Sequence, residues 1–208
     1  SYIAAALIKE KHEVTVIDAV GEGIGQYTNY PSDNFFLHGL GLDEIVKKIP
    51  ADSEVIGITC MFSNEWCIYK NLIKKISAIH SKKTIILGGE HVTADWQYIL
   101  NCNLGVDVCV IGEGEETIIE FAEKYSLNQS WLDIDGIACV KNNISVINPR
   151  RKRMKNFSSL RPAWHLFPVQ NYLNFKSGMN IVNRSTLPIL ASRGCPYSCA
   201  FCSSPQMW

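Results

Sequence analysis

The sequence predicts an α/β protein in which helices cover both faces of a parallel β-sheet. Strand-like and helix-like segments alternate from residue 13 to residue 125. Two of the predicted strands, residues 55–58 and 84–87, are almost entirely apolar, as strands buried on both faces are. The chain has 208 residues, 47% of them hydrophobic, which is enough for a sizeable core. We therefore predict a doubly wound, Rossmann-like sheet of the flavodoxin-like type, which binds ligands at the carboxyl ends of its strands.

Composition excludes several classes of protein. The formal net charge is zero and the basic residues are scattered, so no nucleic-acid footprint is expected. The one basic run, residues 150–153, could contact nucleic acid, but we favour an exposed connector because no aromatic residues are interleaved. No apolar stretch is long enough for a membrane span and no signal peptide is recognisable, which indicates a cytoplasmic protein. Five cysteines lie singly in apolar segments and are predicted to be core thiols: Cys60, Cys67, Cys102, Cys109 and Cys139.

The predicted elements follow one another in a regular order. A helix over residues 2–11 is followed by a strand over 13–18, a loop over 19–41 rich in turn formers, and a helix over 44–49 capped by Asp43. The remaining predicted strands are 54–59, 84–87 and 107–111, and the remaining helices are 64–80, 93–100 and 115–125. The two segments 136–140 and 144–147 flank an Asn-Asn turn, which predicts a β-hairpin that closes the first domain.

Both ends of the sequence suggest truncation. The chain starts within a helical pattern, so we expect the sheet to lack its first strand. In the flavodoxin-like order residues 14–17 would then lie about 10 Å from residues 55–58, without direct hydrogen bonds between them. The predicted domains are an α/β domain over 1–147, a connector over 148–186 held by apolar anchors, and the start of a second domain over 187–208. A new strand is predicted at 187–192.

Three clustered cysteines carry the strongest chemical signal. Cys195, Cys199 and Cys202 form a C-x3-C-x2-C array directly after a predicted strand. Three thiolates on one loop suit a metal or an iron-sulfur cluster. A structural zinc site or a ferredoxin-type cluster would use a fourth ligand, which this array lacks. Three ligands leave one iron of a [4Fe-4S] cluster open, so the spacing favours a catalytic centre.

The segment Ser-Arg-Gly-Cys-Pro-Tyr-Ser-Cys-Ala-Phe-Cys-Ser at residues 192–203 resembles the signature loop of radical S-adenosylmethionine (SAM) enzymes. This resemblance implies that the three cysteines ligate a [4Fe-4S] cluster and that Phe201 packs near the adenine of SAM. It also implies that residues 187–208 begin a TIM-type barrel.

Two glycine-containing turns follow predicted strands, at residues 87–91 and 111–117, and each fits either a ligand contact or helix capping. Together with the opening Tyr-Ile-Ala-Ala-Ala-Leu, the segment Val-Ile-Asp and the segment Gly-Ile-Thr-Cys, they resemble the cobalamin-binding domain of cobalamin-dependent radical SAM proteins. The resemblance implies a corrinoid whose nucleotide tail lies beside the strand ends, in contact with Thr59, Cys60, Met61, Gly88, Gly89, Gly112 and Glu113.

The axial ligand of the corrinoid is left open. The Asp-x-His-x-x-Gly loop that supplies a lower ligand in some of these domains would precede Ser1. His91 could substitute, but a His at the start of a helix is more often a cap or a surface residue. A nicotinamide site at Asp18 is disfavoured, because residues 21–25 lack the strand-turn-helix context of a dinucleotide fingerprint.

The resemblance implies an enzyme that reductively cleaves SAM, abstracts hydrogen through a 5'-deoxyadenosyl radical, and transfers a methyl group by way of cobalamin. Cyclase or rearrangement chemistry is the alternative, and a corrinoid-binding module with a structural cysteine loop is another. Expected partners are an electron donor such as flavodoxin or ferredoxin and a small-molecule or natural-product substrate that the sequence does not identify. No catalytic acid or base is assignable.

Overall fold

The structure is a computed structural model that describes residues 1–30, 35–154, 160–175, 177–178, 181–182 and 192–207. Its helices are α1 (Tyr2–Lys9), α2 (Ala19–Glu22), α3 (Leu42–Lys48), α4 (Trp66–Ile79), α5 (Glu90–Asn101), α6 (Glu115–Ser126), α7 (Val169–Phe175) and α8 (Ser204–Met207). Its strands are β1 (Tyr27–Tyr30), β2 (Phe35–His38), β3 (Val55–Thr59), β4 (Thr84–Gly88), β5 (Val108–Val110), β6 (Ile137–Lys141), β7 (Ile144–Ile147), β8 (Ser177–Gly178) and β9 (Ile181–Val182). Short 3-10 turns cover Ser63–Glu65 and Trp164–Leu166.

The main sheet has five strands in the order β3-β4-β5-β6-β7. The first three strands are parallel, with Ile56 opposite Ile85 and Ile86 opposite Val108. The hairpin of β6 and β7 adds two antiparallel strands next to β5. The sheet is therefore mixed, because a tight hairpin can only join antiparallel strands. The predicted hairpin is confirmed, and both turn asparagines, Asn142 and Asn143, have positive φ.

Both faces of the sheet are covered, as predicted for a doubly wound fold. Successive side chains of a strand point to opposite faces. Ile85 and Leu87 of β4 belong to one buried cluster together with residues of α3, α4 and α5, whereas Ile86 belongs to a second cluster with Phe121 of α6. Leu7 of α1 packs against that second cluster.

The prediction of a strand at residues 13–18 is wrong. This segment pairs with no strand in the described part of the chain. Ile17 still packs against the first buried cluster. Strand β3 is at the end of the strand order, and residues 14–17 and 55–58, all of them described, share no backbone hydrogen bond. This arrangement agrees with the expectation of a sheet that lacks its first strand.

The predicted loop over residues 19–41 contains α2 and an antiparallel pair, β1 and β2. Its aromatic side chains explain the difference, because Tyr27 stacks on His38 and Tyr30 stacks on Phe35 across the pair. The prediction that Asp43 caps the next helix is also wrong. Gly41 is the residue before α3, and its N–H donates to the Glu44 carboxylate at 2.8 Å.

The connector is partly described, and the predicted strand at 187–192 lies almost wholly outside the described residues. Helix α7 docks on α2 through polar contacts. The Tyr172 hydroxyl donates to Asp18, 2.8 Å from Oδ1, and the Asn171 amide donates to the Gly21 carbonyl at 2.9 Å. Asp18, the residue before α2, and Gly21 within α2 thus hold this part of the predicted connector.

The single cysteines are mostly core residues, as predicted. Cys60, Cys109 and Cys139 are buried, whereas Cys67 and Cys102 are half-buried. Burial raises the pKa of the Cys109 thiol to about 12, so this thiol stays protonated at neutral pH. None of the described helices is long and apolar enough to cross a membrane.

Two adjacent glycines should respond differently to substitution. Gly89 has φ of +115°, and a Cβ there would collide with the Cys60 carbonyl. A Cβ on Gly88 would meet only Val110 Cβ, at 3.8 Å. We expect Gly89→Ala to lower the free energy of unfolding by about 2 kcal/mol or more, and Gly88→Ala by less than about 1 kcal/mol. Denaturant titration measures both, and equal losses would contradict the glycine geometry described here.

Candidate cofactor site at the carboxyl edge of the sheet

The three predicted contact turns lie side by side at one edge of the sheet. Strands β3, β4 and β5 are parallel, so their carboxyl ends meet at the same edge. The Cys60 N–H donates to the Gly88 carbonyl at 2.8 Å and joins the first two turns. The Gly112 N–H donates to Thr93 Oγ1 at 3.0 Å and joins the third turn to α5. The structure thus brings together the predicted backbone positions.

The first turn, residues 59–61, presents its side chains unequally. Thr59 is exposed, and Met61 and the neighbouring Phe62 are 38% and 61% exposed. Cys60 is fully buried, and burial, followed by the charge of Glu65, raises the pKa of its thiol to about 12. Cys60 can therefore offer a ligand only its backbone, whereas Thr59 and Met61 can offer side chains.

The second turn, residues 88–91, contains His91, whose side chain is buried. His91 Nδ1 lies 3.0 Å from Ser63 Oγ, and the ring lies 5.1 Å from the Trp66 ring. Burial lowers the pKa of His91, although the charge of Asp95 acts in the opposite direction. The expectation that His91 is a cap or a surface residue is wrong, because the side chain is buried. Because His91 Nε2 is buried, the ring in this position does not reach a group bound on the exposed surface of the edge.

The third turn, residues 112–115, is occupied by charged contacts. Gly112 has φ of +75°, a conformation that favours glycine. The Glu113 carboxylate accepts a hydrogen bond from the Met154 N–H at 2.8 Å and pairs with Arg193 at 3.3 Å. Arg193 also pairs with Glu115 at 2.5 Å. The turn is therefore tied to the segment after the hairpin and to the segment that carries the clustered cysteines.

Arg193 is a candidate functional residue that the sequence reasoning missed. Its guanidinium lies over the Tyr2 ring, 5.1 Å from the ring centroid. Burial opposes its charge, yet hydrogen bonds and charges from Glu115 and then Glu113 raise the pKa of Arg193. Its position inside the Ser-Arg-Gly-Cys segment was visible in the sequence. The carboxylates that face it are about eighty residues away, and no local pattern connects the two segments.

The loop of residues 192–203, which we call the three-cysteine loop, lies at the surface. Cys195, Cys199 and Cys202 are free and exposed, and Phe201 is 94% exposed. The Cys202 N–H donates to the Cys199 carbonyl at 3.1 Å, so these two residues belong to one tight turn. In the described ranges, no three His, Cys, Asp or Glu side chains are close enough together to hold a metal ion. The structure places the predicted ligands on one loop without assembling them, and the cluster site stays a prediction.

A cavity of about 120 Å³ is lined by Gly112, Glu113 and all four residues of the basic run. In that run Arg151 is half-buried, donates from Nε to Thr117 Oγ1 at 3.1 Å and pairs with Glu120. The other members, Arg150, Lys152 and Arg153, are exposed. The predicted exposed connector is thus confirmed for three of the four positions, and it lies beside Gly112 and Glu113 at the carboxyl edge of the sheet.

Known proteins similar to this chain include three methyltransferases and a cyclase. Cytidylyl-2-hydroxyethylphosphonate methyltransferase of Streptomyces wedmorensis is 28% identical to this chain. The alignment covers 100% of this chain and 43% of that methyltransferase. Anaerobic magnesium-protoporphyrin IX monomethyl ester cyclase of Cereibacter sphaeroides is 23% identical over 88% of this chain and 29% of the cyclase. An uncharacterized methyltransferase of Pyrococcus horikoshii is 27% identical over 96% of this chain and 39% of that protein. The chain thus spans less than half the length of these relatives.

The radical S-adenosylmethionine methyltransferase TsrM of Kitasatospora setae has a similar fold. Its structure with cobalamin and a [4Fe-4S] cluster superposes with a TM-score of 0.64 at 17% identity, covering 99% of this chain and 38% of TsrM. At 17% sequence identity, this similarity shows that the two proteins share a fold and nothing further. The model of the B12 binding domain matches residues 1–122, more than half of the 208 residues. This chain therefore belongs to the B12 binding domain family.

Proposed function

We propose that this chain is the cobalamin-binding and cluster-binding part of a cobalamin-dependent radical SAM enzyme that transfers a methyl group. The observation that carries the proposal is the docking of the three-cysteine loop on the turn of residues 112–115, which belongs to the predicted cobalamin edge. This docking would hold two cofactor sites that must cooperate on neighbouring segments. The three methyltransferases among the similar proteins support methyl transfer.

Two features of the carboxyl edge of the sheet suit cobalamin: the space beside the Gly88 backbone, and an exposed apolar surface. Gly88 leaves room, because a Cβ added at that glycine would have only Val110 Cβ within 4 Å. Met61 and Phe62 expose apolar surface next to it, which a corrinoid could cover. Thr59, the backbone of Cys60, Gly88, Gly89, Gly112 and Glu113 would hold the cofactor.

The three-cysteine loop fits an iron-sulfur cluster by the chemistry of its donors. Thiolates are the usual ligands of such clusters, and three exposed thiols on one short loop can turn toward a common centre. A single open iron is then available to SAM, and exposed Phe201 is next to the third thiol for contact with the adenine. The open coordination favours catalysis over a purely structural site.

When bound, the cluster would supply the electron that cleaves SAM, and cobalamin would carry the methyl group. The residues of this chain bind and orient these cofactors. We assign no acid, base or substrate contact to them. An electron donor such as flavodoxin or ferredoxin belongs to the same proposal, since the cluster must be reduced before each cleavage. Cyclase chemistry is the second candidate, and the similarity to the anaerobic cyclase favours it.

Anaerobic reconstitution of the full-length protein with iron, sulfide and hydroxocobalamin tests the proposal. After reduction with dithionite, we expect a [4Fe-4S] electron paramagnetic resonance signal that SAM perturbs, together with one bound corrinoid per chain. Cys199→Ser should abolish the cluster signal because it removes one of three ligands. Cys102→Ser, which changes a half-buried cysteine outside the loop, is the control and should retain the signal.

The outcomes separate the candidates. A corrinoid without any cluster would leave a cobalamin-binding module with a structural cysteine loop and would contradict the enzyme. Methylated product identifies a methyltransferase, whereas a cyclised product without methylation identifies the second candidate.

Gly88→Ala should weaken cobalamin binding without unfolding the protein. The added methyl group is tolerated by the protein itself and would occupy space that the cofactor needs. A misfit of this size costs roughly 1–3 kcal/mol, so we expect about a tenfold higher Kd. Optical titration with hydroxocobalamin measures this Kd. An unchanged Kd in a folded variant would place the corrinoid away from β4.

A further inference from the structure

We propose that Arg193 is a positioning residue that fixes the three-cysteine loop on the turn of residues 112–115, so that the two predicted cofactor sites keep one relative position. The identity of those two sites rests on the proposed function. The contact itself does not, and it can be tested without any cofactor.

The geometry uses both arms of the guanidinium. Arg193 Nη1 lies 3.3 Å from Glu113 Oε1, and Nη2 lies 2.5 Å from Glu115 Oε1. The two carboxylates stand on either side of Gly114, where β5 has ended and α6 begins. A planar guanidinium can contact two carboxylates in fixed directions, which a lysine ammonium cannot do. The contact therefore fixes orientation as well as distance.

Burial makes this contact hard to break. The side chains of Arg193, Glu113 and Glu115 are only 8%, 13% and 6% exposed. An exposed ion pair contributes little, but removing one partner of a buried pair leaves an uncompensated charge away from water. The loop cannot leave the turn without creating such a charge at Glu115. Tyr2, whose ring lies under the guanidinium, covers another side of the group.

The three cysteines lie between two attachment points. Arg193 is two residues before Cys195, and Ser203, one residue after Cys202, hydrogen-bonds to Glu90 at the start of α5. Glu90 directly follows Gly89 of the second predicted cobalamin turn. Each end of the loop is thus bound to a turn of the predicted corrinoid edge. Loop and edge should move as one unit, whereas the cysteines between the two attachments can still rearrange around a cluster.

A shared attachment couples the two sites. A ligand that shifts Glu113 or Gly89 must also shift the base of the three-cysteine loop, and the reverse holds equally because coupling free energy is reciprocal. Cobalamin affinity should therefore depend on whether the cluster is present. A contact that only stabilised the fold would not produce this dependence.

Trypsin tests the contact in the full-length protein without cofactors. The Arg193–Gly194 bond is a tryptic site whose arginine is buried by its two carboxylates, so cleavage requires local opening. We expect Glu115→Gln to accelerate cleavage of this bond about tenfold or more, and Glu113→Gln to accelerate it as well. Glu123→Gln removes an exposed carboxylate of the same helix α6 and should cleave like the unmodified protein. Mass spectrometry resolves this one bond, and circular dichroism establishes that the variants are folded.

Cobalamin titration tests the positioning role. In the unmodified protein we expect the Kd for hydroxocobalamin to differ at least about fivefold between cluster-loaded and cluster-free forms. Arg193→Met should bring this ratio close to one, and Arg193→Lys, which keeps the charge but loses the planar group, should give an intermediate ratio.

Two results would overturn the inference. Equal cleavage rates in the unmodified protein, Glu115→Gln and Glu123→Gln would show that the contact does not hold the loop. Faster cleavage in Glu115→Gln together with an unchanged Kd ratio in Arg193→Met would show a contact that positions nothing. Absence of cobalamin binding in the unmodified protein would contradict the proposed function instead. The tryptic cleavage rates would then still test whether the Arg193 contact holds the loop.

Discussion

Burial of β4 on both of its faces is the constraint on which the rest of the structure depends. Ile85 and Leu87 pack into one cluster and Ile86 into the other, so helices must cover the sheet on each side. Helices on both sides require crossover connections between parallel strands, and these connections bring the carboxyl ends of β3, β4 and β5 to one edge. The ligand-binding edge is thus a consequence of how an apolar strand is buried.

At the turns of that edge, glycine backbones set the path of the chain, and a few side chains provide the exposed surface. Gly89 and Gly112 have positive φ, which lets the chain turn sharply from a buried strand into the next segment. The side chains of Cys60 and His91, which belong to the turns at this edge, are buried in the protein. Exposed surface comes from Thr59, Met61 and the backbone of Gly88, so a ligand would meet an edge whose shape is set by buried neighbours.

Charge adds a second level of organisation to this apolar frame. Glu115 begins a helix, where a carboxylate is favourably placed against the helix dipole, yet it is almost completely buried. A buried carboxylate needs a partner, and Arg193 supplies it from a segment that lies beyond the connector. The three-cysteine loop is attached to the B12-binding domain by the requirement to neutralise buried charge. The Tyr172–Asp18 hydrogen bonds attach the connector, which lies between these two segments in the sequence, to the start of α2.

Much of the fold could be predicted from local pattern, because apolar runs such as residues 84–87 and the Asn-Asn turn of the hairpin specify their own conformation. The pattern failed where tertiary context decides. Residues 13–18 have strand composition but no adjacent strand in the described chain. Residues 27–30 and 35–38 form an antiparallel pair with aromatic stacking across it, which the turn formers of this segment had obscured. The strand-end turns were predictable because parallel strands end together. Arg193 was not, because its partners are distant in sequence and only the folded chain brings them within hydrogen-bonding distance.

The proposed position of the corrinoid is the edge formed by the ends of β3, β4 and β5. The proposed function depends on this position, and so does the role of Arg193 in keeping the two cofactor sites together. Hydrogen exchange of the full-length protein, measured by mass spectrometry with and without hydroxocobalamin, tests this position directly. We predict slower exchange on binding at the three turns of residues 59–61, 88–91 and 112–115. Protection confined to other segments, such as the paired strands β1 and β2, with unchanged exchange at these turns, would contradict it.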